Sequence, residues 1–329
     1  MTAAEAATEG ARHASFRHEA LLYAGDAEFV SATSTFIREG LAAGEAVLAV
    51  VDAPKIGLLQ SALGGQAAAV EFADMGVVGR NPGRILDAWY RFATEHAGAD
   101  SGARGIGEPV SASRSAAELV ECQLHEALLN VAFPPQPAWT LLCPYNTATL
   151  GTETVAEARR THPFVRSGTE SGASAEFARR GHGGPGAAPS PWQFRDPLPE
   201  PPVGPGTLQL AIGDASLGAL RRRVVAHANE AGASPARAGD LALAATELAT
   251  NSLRHGGGHG RLRLWADGAS LMCEVADTGH ITDPLVGRRR PTSRQLHGRG
   301  LWLVQQLCDL VQVRTGPGGT VVRVQVPLS

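Results

Sequence analysis

The sequence predicts an α/β chain of two domains. The first is built on a largely parallel sheet, the second on helices laid over one face of an antiparallel or mixed sheet. Three observations lead there. Over residues 16–178 short apolar runs alternate with helical patterns. Residues 179–206, RRGHGGPGAAPSPWQFRDPLPEPPVGPG, are dense in Gly and Pro and read as a linker. From residue 207 onward, strands of period two surround a hairpin signal and apolar helices. A length of 329 residues also suits two cores better than one.

In the first half, an apolar segment at residues 20–24 precedes a helical stretch from about Phe29 to Leu41. AVLAVVD at 46–52 reads as a strand, Pro54 sits at the start of a short helix ending at Leu63, and a strand follows at 70–73. A long helical pattern runs from Pro82 to His96, and RGIGEP occupies 104–109. Next come a helix from about Ser115 to Val131 and a buried strand, AWTLLCPY, at 138–145. Trp192 and Phe194 lie inside the linker, where two large aromatics are expected to dock on one of the chain's own domains.

The second half opens with an alternating strand at 207–212 and a helix at 215–230 that buries Leu217, Leu220, Val224 and Ala228. Arg221, Arg222 and Arg223 read as its solvated face. The next helix carries the most information: LALAATELATNSLRHG at 241–256, with Ser234 as N-cap, Pro235 in the first turn and Gly256 after the last. Glu247, Asn251, Arg254 and His255 point one way, while Leu241, Ala245, Leu248 and Ser252 form the packed side. A carboxylate, an amide, a guanidinium and an imidazole on one face of an apolar rod look arranged to meet something polar. Strands at 261–265 and 271–276 flank Asp267-Gly268, a hairpin turn. A helix from Gly300 to Leu310 and two alternating strands end the chain.

Net charge of −3, with 43% hydrophobic and 19% charged residues, gives no electrostatic reason to expect nucleic acid or a membrane surface as partner. No apolar run reaches the length of a membrane span, and MTAAEAATEGARHASFRHE lacks the apolar core of a signal peptide, so a cytoplasmic location is expected. Cys122, Cys143, Cys273 and Cys308 form no C-x-x-C pair and read as reduced, packed thiols rather than as disulfides or a zinc site.

The stripe Glu247, Asn251, Arg254, His255, then Asp277-Thr278-Gly279 ending a strand, Gly298-Arg299-Gly300-Leu301 opening a helix, and Thr320 in a late strand resemble the GHKL (Bergerat) ATP-binding fold. Histidine kinases and the anti-sigma-factor serine kinases share that α/β two-layer sandwich. The resemblance covers 207–329 and implies ATP and Mg²⁺ as ligands. Asp277 would accept a hydrogen bond from adenine N6, with Gly279 allowing close approach and Thr320 supporting the same end. Asn251 would bind Mg²⁺, Gly298, Arg299, Gly300 and Leu301 would form the lid and helix start over the phosphates, and Arg254 would add positive charge. His255 would orient the magnesium end or cap the helix. The second glycine of the fuller Asp-x-Gly-x-Gly pattern is absent: Ile281 stands there.

FRHEALLY at 16–23, the helix–turn–strand at 36–51, RGIGE at 104–108, Cys143-Pro144-Tyr145 and Thr161-His162-Pro163 resemble the MEDS sensory domain, a relative of the RecA/KaiC ATPases, over 14–178. A hydrolysing relative needs a Walker A loop with its Lys; here the turn reads AGDAEF at 24–29, with two acids and no Lys. The domain therefore reads as a sensor or docking module. His18 and Tyr23 are candidates for a ligand pocket or for satisfied core groups. Glu108 is a candidate catalytic carboxylate or a structural one, and Cys143 with His162 is a faint nucleophile signal without a third partner.

No dimerising helical hairpin with a phosphoacceptor His precedes the second domain, which sets it apart from a histidine kinase. The resemblance instead implies a serine/threonine protein kinase with Glu247 as base, a STAS-domain anti-anti-sigma protein as substrate, a sigma factor as further partner, and a homodimer. The alternative is an ATP-holding switch that sequesters a partner and transfers nothing.

Overall fold

The computed structural model describes residues 16–98, 102–133, 139–168, 170–180, 196–213, 217–291 and 299–329. The chain divides into two compact units, the first ending at Pro191 and the second starting at Trp192.

Among the described residues, seven strands form the sheet of the first unit: β1 (Arg17–Tyr23), β2 (Ala46–Val51), β3 (Val70–Asp74), β4 (Ala103–Gly107), β5 (Trp139–Asn146), β6 (Phe164–Ser167) and β7 (Glu170–Ala173). Their order is β3-β2-β4-β5-β1-β6-β7, and every pair is parallel except β6 with β7. Parallel neighbours need crossovers. These are supplied by α1 (Gly25–Ala42), α2 (Ala53–Leu63), the one-turn α3 (Met75–Val78), α4 (Ile85–His96), α5 (Ala116–Ala132) and α6 (Thr152–Thr161), with α7 (Ala175–Arg180) following β7. Strands covered on both faces read as near-continuous apolar runs, as β2 and most of β5 do; β1, RHEALLY, is buried from His18 onward but carries His18 and Glu19 inside.

Local chemistry sets the helix starts. Asp52 accepts Lys55 N at 2.9 Å at the head of α2, where Pro54 needs no donor. Ser115 and Glu118 form a reciprocal capping box at the head of α5. The pattern read as helix from Pro82 begins with a 3₁₀ turn, and α4 proper starts at Ile85. Sequence reading passed over α6, β6 and β7. The cause is visible in β7, ESGA, which is exposed at all four positions and has no apolar alternation to reveal it.

The second unit holds an antiparallel sheet of β8 (Leu208–Ile212), β9 (Gly260–Asp267), β10 (Ser270–Asp277), β11 (Leu310–Gly316) and β12 (Gly319–Pro327), in the order β11-β12-β10-β9-β8. Gly268, at φ +57°, makes the β9–β10 turn. Helices α8 (Leu217–Glu230), α9 (Pro235–His255) and α10 (Arg299–Leu307) cover one face. Val224, Leu241, Ala245 and Leu248 from the helices share one core with Leu262, Leu264, Cys273, Val275, Val322 and Val324 from the strands. Ser234 caps α9 as expected, accepting Arg237 N at 3.4 Å. The last helix ends at Leu307, not Leu310, because Asp309 N is already paired with Gln325 O at 2.9 Å, on the way into β11.

Alternate residues of these strands point to the other face. There Glu274, buried, takes the guanidinium groups of Arg263 at 2.5 Å and Arg323 at 2.6 Å. The end of the linker lies along this face. Arg314 Nε donates to Asp196 O at 3.2 Å, Arg323 Nη2 to Pro199 O at 2.5 Å, and Arg263 Nη1 to Glu200 at 3.0 Å. Trp192 and Phe194 lie outside the described residues. Among the described residues no helix is long and apolar enough to cross a membrane.

Candidate functional site

The C-terminal half of α9, the end of β10 and the start of α10 meet around a cavity of about 310 Å³. Leu248, Val275, Val286, Leu301 and Val322 give it apolar walls, and Asn251, His255, Asp277 and Thr320 give it polar ones. A volume of this size with few convergent polar groups is typical of a small-molecule site.

Asp277 ends β10 half-buried, and both of its oxygens are held: Oδ1 accepts Gly279 N at 2.9 Å and Oδ2 accepts Ser252 Oγ at 2.5 Å. A carboxylate has about four lone-pair sites, so this one keeps acceptor capacity toward the cavity. The need for glycine at 279 comes from the helix behind it. A Cβ there would stand 2.5 Å from His255 O and 2.9 Å from Gly256 Cα, so the turn is pressed against the end of α9.

Thr320 Oγ1 donates to Gly279 O at 2.8 Å and lies 2.9 Å from Thr315 Oγ1. Thr315 Oγ1 in turn accepts Ile281 N at 3.0 Å and lies 3.2 Å from His280 Nδ1. Two strand hydroxyls thus pin the backbone on both sides of His280, in the segment where a second glycine would have left the chain free.

Glu247, half-buried, lies one turn before Asn251 on α9. The first turn of α10 is laid against both. A Cβ on Gly300 would come within 2.6 Å of Glu247 Oε2 and 3.6 Å of the Asn251 amide. Leu301 is buried and lines the cavity, while Arg299 is exposed at the head of α10. His255 is exposed on the cavity rim; Arg254 is exposed and forms no part of its wall. Gly298 lies outside the described residues. The structure thus brings together Glu247, Asn251, His255, Asp277, Gly279, Gly300, Leu301 and Thr320.

Ser252 and Thr315 were not singled out from the sequence. Ser252 falls on the packed side of α9 and is fully buried. A hydroxyl on an otherwise apolar face needs a partner, and that was the available signal.

In the first unit, Tyr23 lines a separate cavity of about 490 Å³ with Glu28, Ser31, Thr35 and Arg166; His18 does not. At the start of α1, Glu28 Oε2 accepts Ala24 N at 2.7 Å. The chain's own carboxylate therefore takes a first-turn N–H that a phosphate would otherwise use. Glu108 accepts Tyr23 Oη at 2.6 Å and Lys55 Nζ at 2.5 Å. Burial raises its pKa, while Lys55 and the Tyr23 hydroxyl pull it back. With both oxygens engaged, Glu108 ties β1 and α2 to the end of β4. All four cysteines are free and buried. Burial, then the Glu126 carboxylate, pushes the Cys143 thiol well above its usual range, which argues against a free nucleophile.

The MEDS family model (MEthanogen/methylotroph, DcmR Sensory domain) matches residues 17–163, and the model of the histidine kinase-like ATPase domain matches residues 212–326. No curated protein matches the chain. Among solved structures, the RsbU and RsbW domains of Rv1364c from Mycobacterium tuberculosis match at 18% identity with a TM-score of 0.29, over 37% of this chain and 32% of that one. The chain thus spans about a third of the length of that structure's chain, and a likeness this low carries no argument. The two family matches make the chain a fusion of a MEDS domain and a histidine kinase-like ATPase domain, and the second implies nucleotide binding.

Proposed function

We propose that the chain is an ATP-dependent regulatory kinase of the anti-sigma-factor type, transferring the γ-phosphoryl group to a Ser or Thr of a STAS-domain partner. The observation that carries this reading is the pair Glu247 and Asn251 on α9, with the first turn of α10 against both. The fit to ATP rests on the cavity's apolar walls, which suit a flat base, and on the Asp277 carboxylate, which retains acceptors for an exocyclic amine.

In this reading Asp277 selects adenine, and Gly279 and Thr320 hold the turn that presents it. Asn251 offers a neutral oxygen to Mg²⁺, which when bound would neutralise charge on the phosphates. Arg254 and Arg299, both exposed, would add positive charge toward the phosphates, His255 on the cavity rim would orient the magnesium end or cap α9, and Gly298 completes the lid. Glu247 takes the proton of the attacking hydroxyl as the new O–P bond forms and ADP leaves. The MEDS domain senses a signal. A sigma factor and a second copy of the chain are the further partners this class implies.

One observation favours a second reading, an ATP-holding switch without turnover. Ile281 replaces the second glycine and its N–H is tied to Thr315, which restrains the segment over the site.

The test uses γ-labelled ATP and Mg²⁺ with the full chain alone and with STAS-domain proteins, repeated with Asp277→Asn and Glu247→Ala. Acid-stable label on the small partner, lost in both variants, is the expected result. Acid-labile label on the chain itself would overturn it in favour of a histidine kinase. ATP bound with no transfer to any partner would favour the switch.

A further inference from the structure

His18 of β1, Glu126 of α5, Cys143 of β5 and His162, the residue that ends α6, converge in the core of the first unit, each 1% exposed or less. His18 Nε2 lies 3.0 Å from Glu126 Oε2 and 3.4 Å from Cys143 Sγ, and His162 Nε2 lies 3.3 Å from the same Glu126 oxygen. One potential ligand atom from each residue falls within 4.8 Å of all the others.

Contacts behind the rings decide which atoms face inward. His162 Nδ1 is 2.8 Å from Ala158 O, and a carbonyl only accepts, so Nδ1 carries the hydrogen. His18 Nδ1 is 3.1 Å from Asn130 Oδ1, and the Asn130 amide is oriented by donating Nδ2 to Thr161 O at 2.8 Å. That side-chain oxygen therefore accepts from His18 Nδ1 as well. Both rings turn an Nε2 lone pair toward a carboxylate and a sulfur in a space closed to water. Electron-rich atoms facing one another at these distances call for a cation between them. Among the described residues, Glu126 Oε1 has no hydrogen-bond partner although it is buried, and His162 Nε2, equally buried, has only its long 3.3 Å contact to Glu126 Oε2.

We propose that these four side chains form a zinc site: His18 Nε2, His162 Nε2, a Glu126 oxygen and Cys143 Sγ around one tetrahedral Zn²⁺. Bonds of 2.0–2.3 Å at tetrahedral angles put ligand atoms about 3.3–3.6 Å apart, close to the 3.0, 3.3 and 3.4 Å given above, and the whole set, within 4.8 Å, needs only a small contraction. Two imidazoles, a carboxylate and a thiolate make a borderline donor set suited to zinc rather than to magnesium or calcium. The Nδ1 contacts to Ala158 O and Asn130 are the outer hydrogen bonds that fix ligand histidines. Four protein ligands leave no open position, so the ion acts as a staple that joins β1 and β5 to α5 and the end of α6. Its binding free energy becomes folding free energy of this unit. Sequence spacing alone had argued against zinc for these cysteines, because the ligands are scattered over nearly the whole unit.

The site is sealed, so metal enters as the chain folds, and the test is made on full-length protein from zinc-supplemented culture and on protein refolded with Co²⁺. Elemental analysis should find about one zinc per chain, falling at least about tenfold in His162→Gln. The cobalt form should show the intense visible bands of a tetrahedral site and a sulfur-to-cobalt charge-transfer band, the latter lost in Cys143→Ser. If His162→Gln does not fold, the wild-type cobalt spectrum decides alone. Wild-type protein that carries no metal and takes up no cobalt, or shows cobalt without the sulfur band, would overturn the proposal. The cluster would then be a proton-bridged His–Glu–His core.

Discussion

Ser252 Oγ donates to Asp277 Oδ2 at 2.5 Å, a link from the buried face of α9 to the last residue of β10. It leaves the carboxylate one orientation, because Gly279 N holds the other oxygen. Ser252→Ala removes a hydrogen bond to a charged group, worth about 1.5–3 kcal/mol. ATP affinity by calorimetry is expected to fall roughly tenfold or more. An unchanged Kd would mean that Gly279 N alone positions Asp277.

Gly279→Ala tests the fit behind the same turn. The added Cβ would meet His255 O at 2.5 Å, and that atom is helix backbone, which yields poorly. Overpacking of this kind costs about 1–3 kcal/mol. The second unit should melt at lower temperature, and added ATP should restore less stability than it gives the wild type. A normal melting temperature with normal ATP stabilisation would show that the end of α9 can move aside.

These two residues also show how far the sequence could be read. Gly279 was legible because an Asp-x-Gly at a strand end is a local pattern. Its reason was not, because the clash lies with a helix 24 residues earlier. Glu247, Asn251 and His255 were legible through helical periodicity alone, which places them on one face without any knowledge of β10. Ser252 and Thr315 were not, since each acts through a partner brought near only by the fold: Asp277 in one case, Ile281 and Thr320 in the other. The same holds in the first unit. His18, Glu126, Cys143 and His162 meet across 145 positions of sequence (18 to 162), so no spacing rule could have joined them. The parallel sheet was foreseen from apolar runs, but the exposed β7 hairpin arm offered no run to see.

Thr315 offers a way to separate the kinase and switch readings. Thr315→Val keeps the shape but removes the acceptor of the half-buried Ile281 N–H, which water can partly replace, so the cost is about 1 kcal/mol. The segment after Asp277 should loosen, seen as faster amide exchange over residues 279–283, while Thr315→Ser should restore protection. If the pinned segment suppresses turnover, labelled-phosphate transfer should rise in Thr315→Val even as ATP affinity drops. A fall in both would make the pin a part of the catalytic arrangement.

Glu108 gives the first unit a pH signature of definite sign. Burial raises its pKa above the ordinary 4.5, against the pull of Lys55 and of the Tyr23 hydroxyl. Between the unfolded value and the raised one, the folded chain holds more protons than the unfolded chain. Stability from this group is therefore fullest below the ordinary carboxylate pKa and declines as pH rises through the folded value. Tyr23→Phe removes the 2.6 Å hydrogen bond to the ionised carboxylate and shifts that decline further upward. Urea denaturation should show a loss of about 1.5–3 kcal/mol above the raised pKa, where Glu108 is ionised, and a smaller loss below it, where the carboxyl is protonated. Equal losses at both pH values would mean that Glu108 keeps one protonation state throughout, with the hydroxyl serving only as packing.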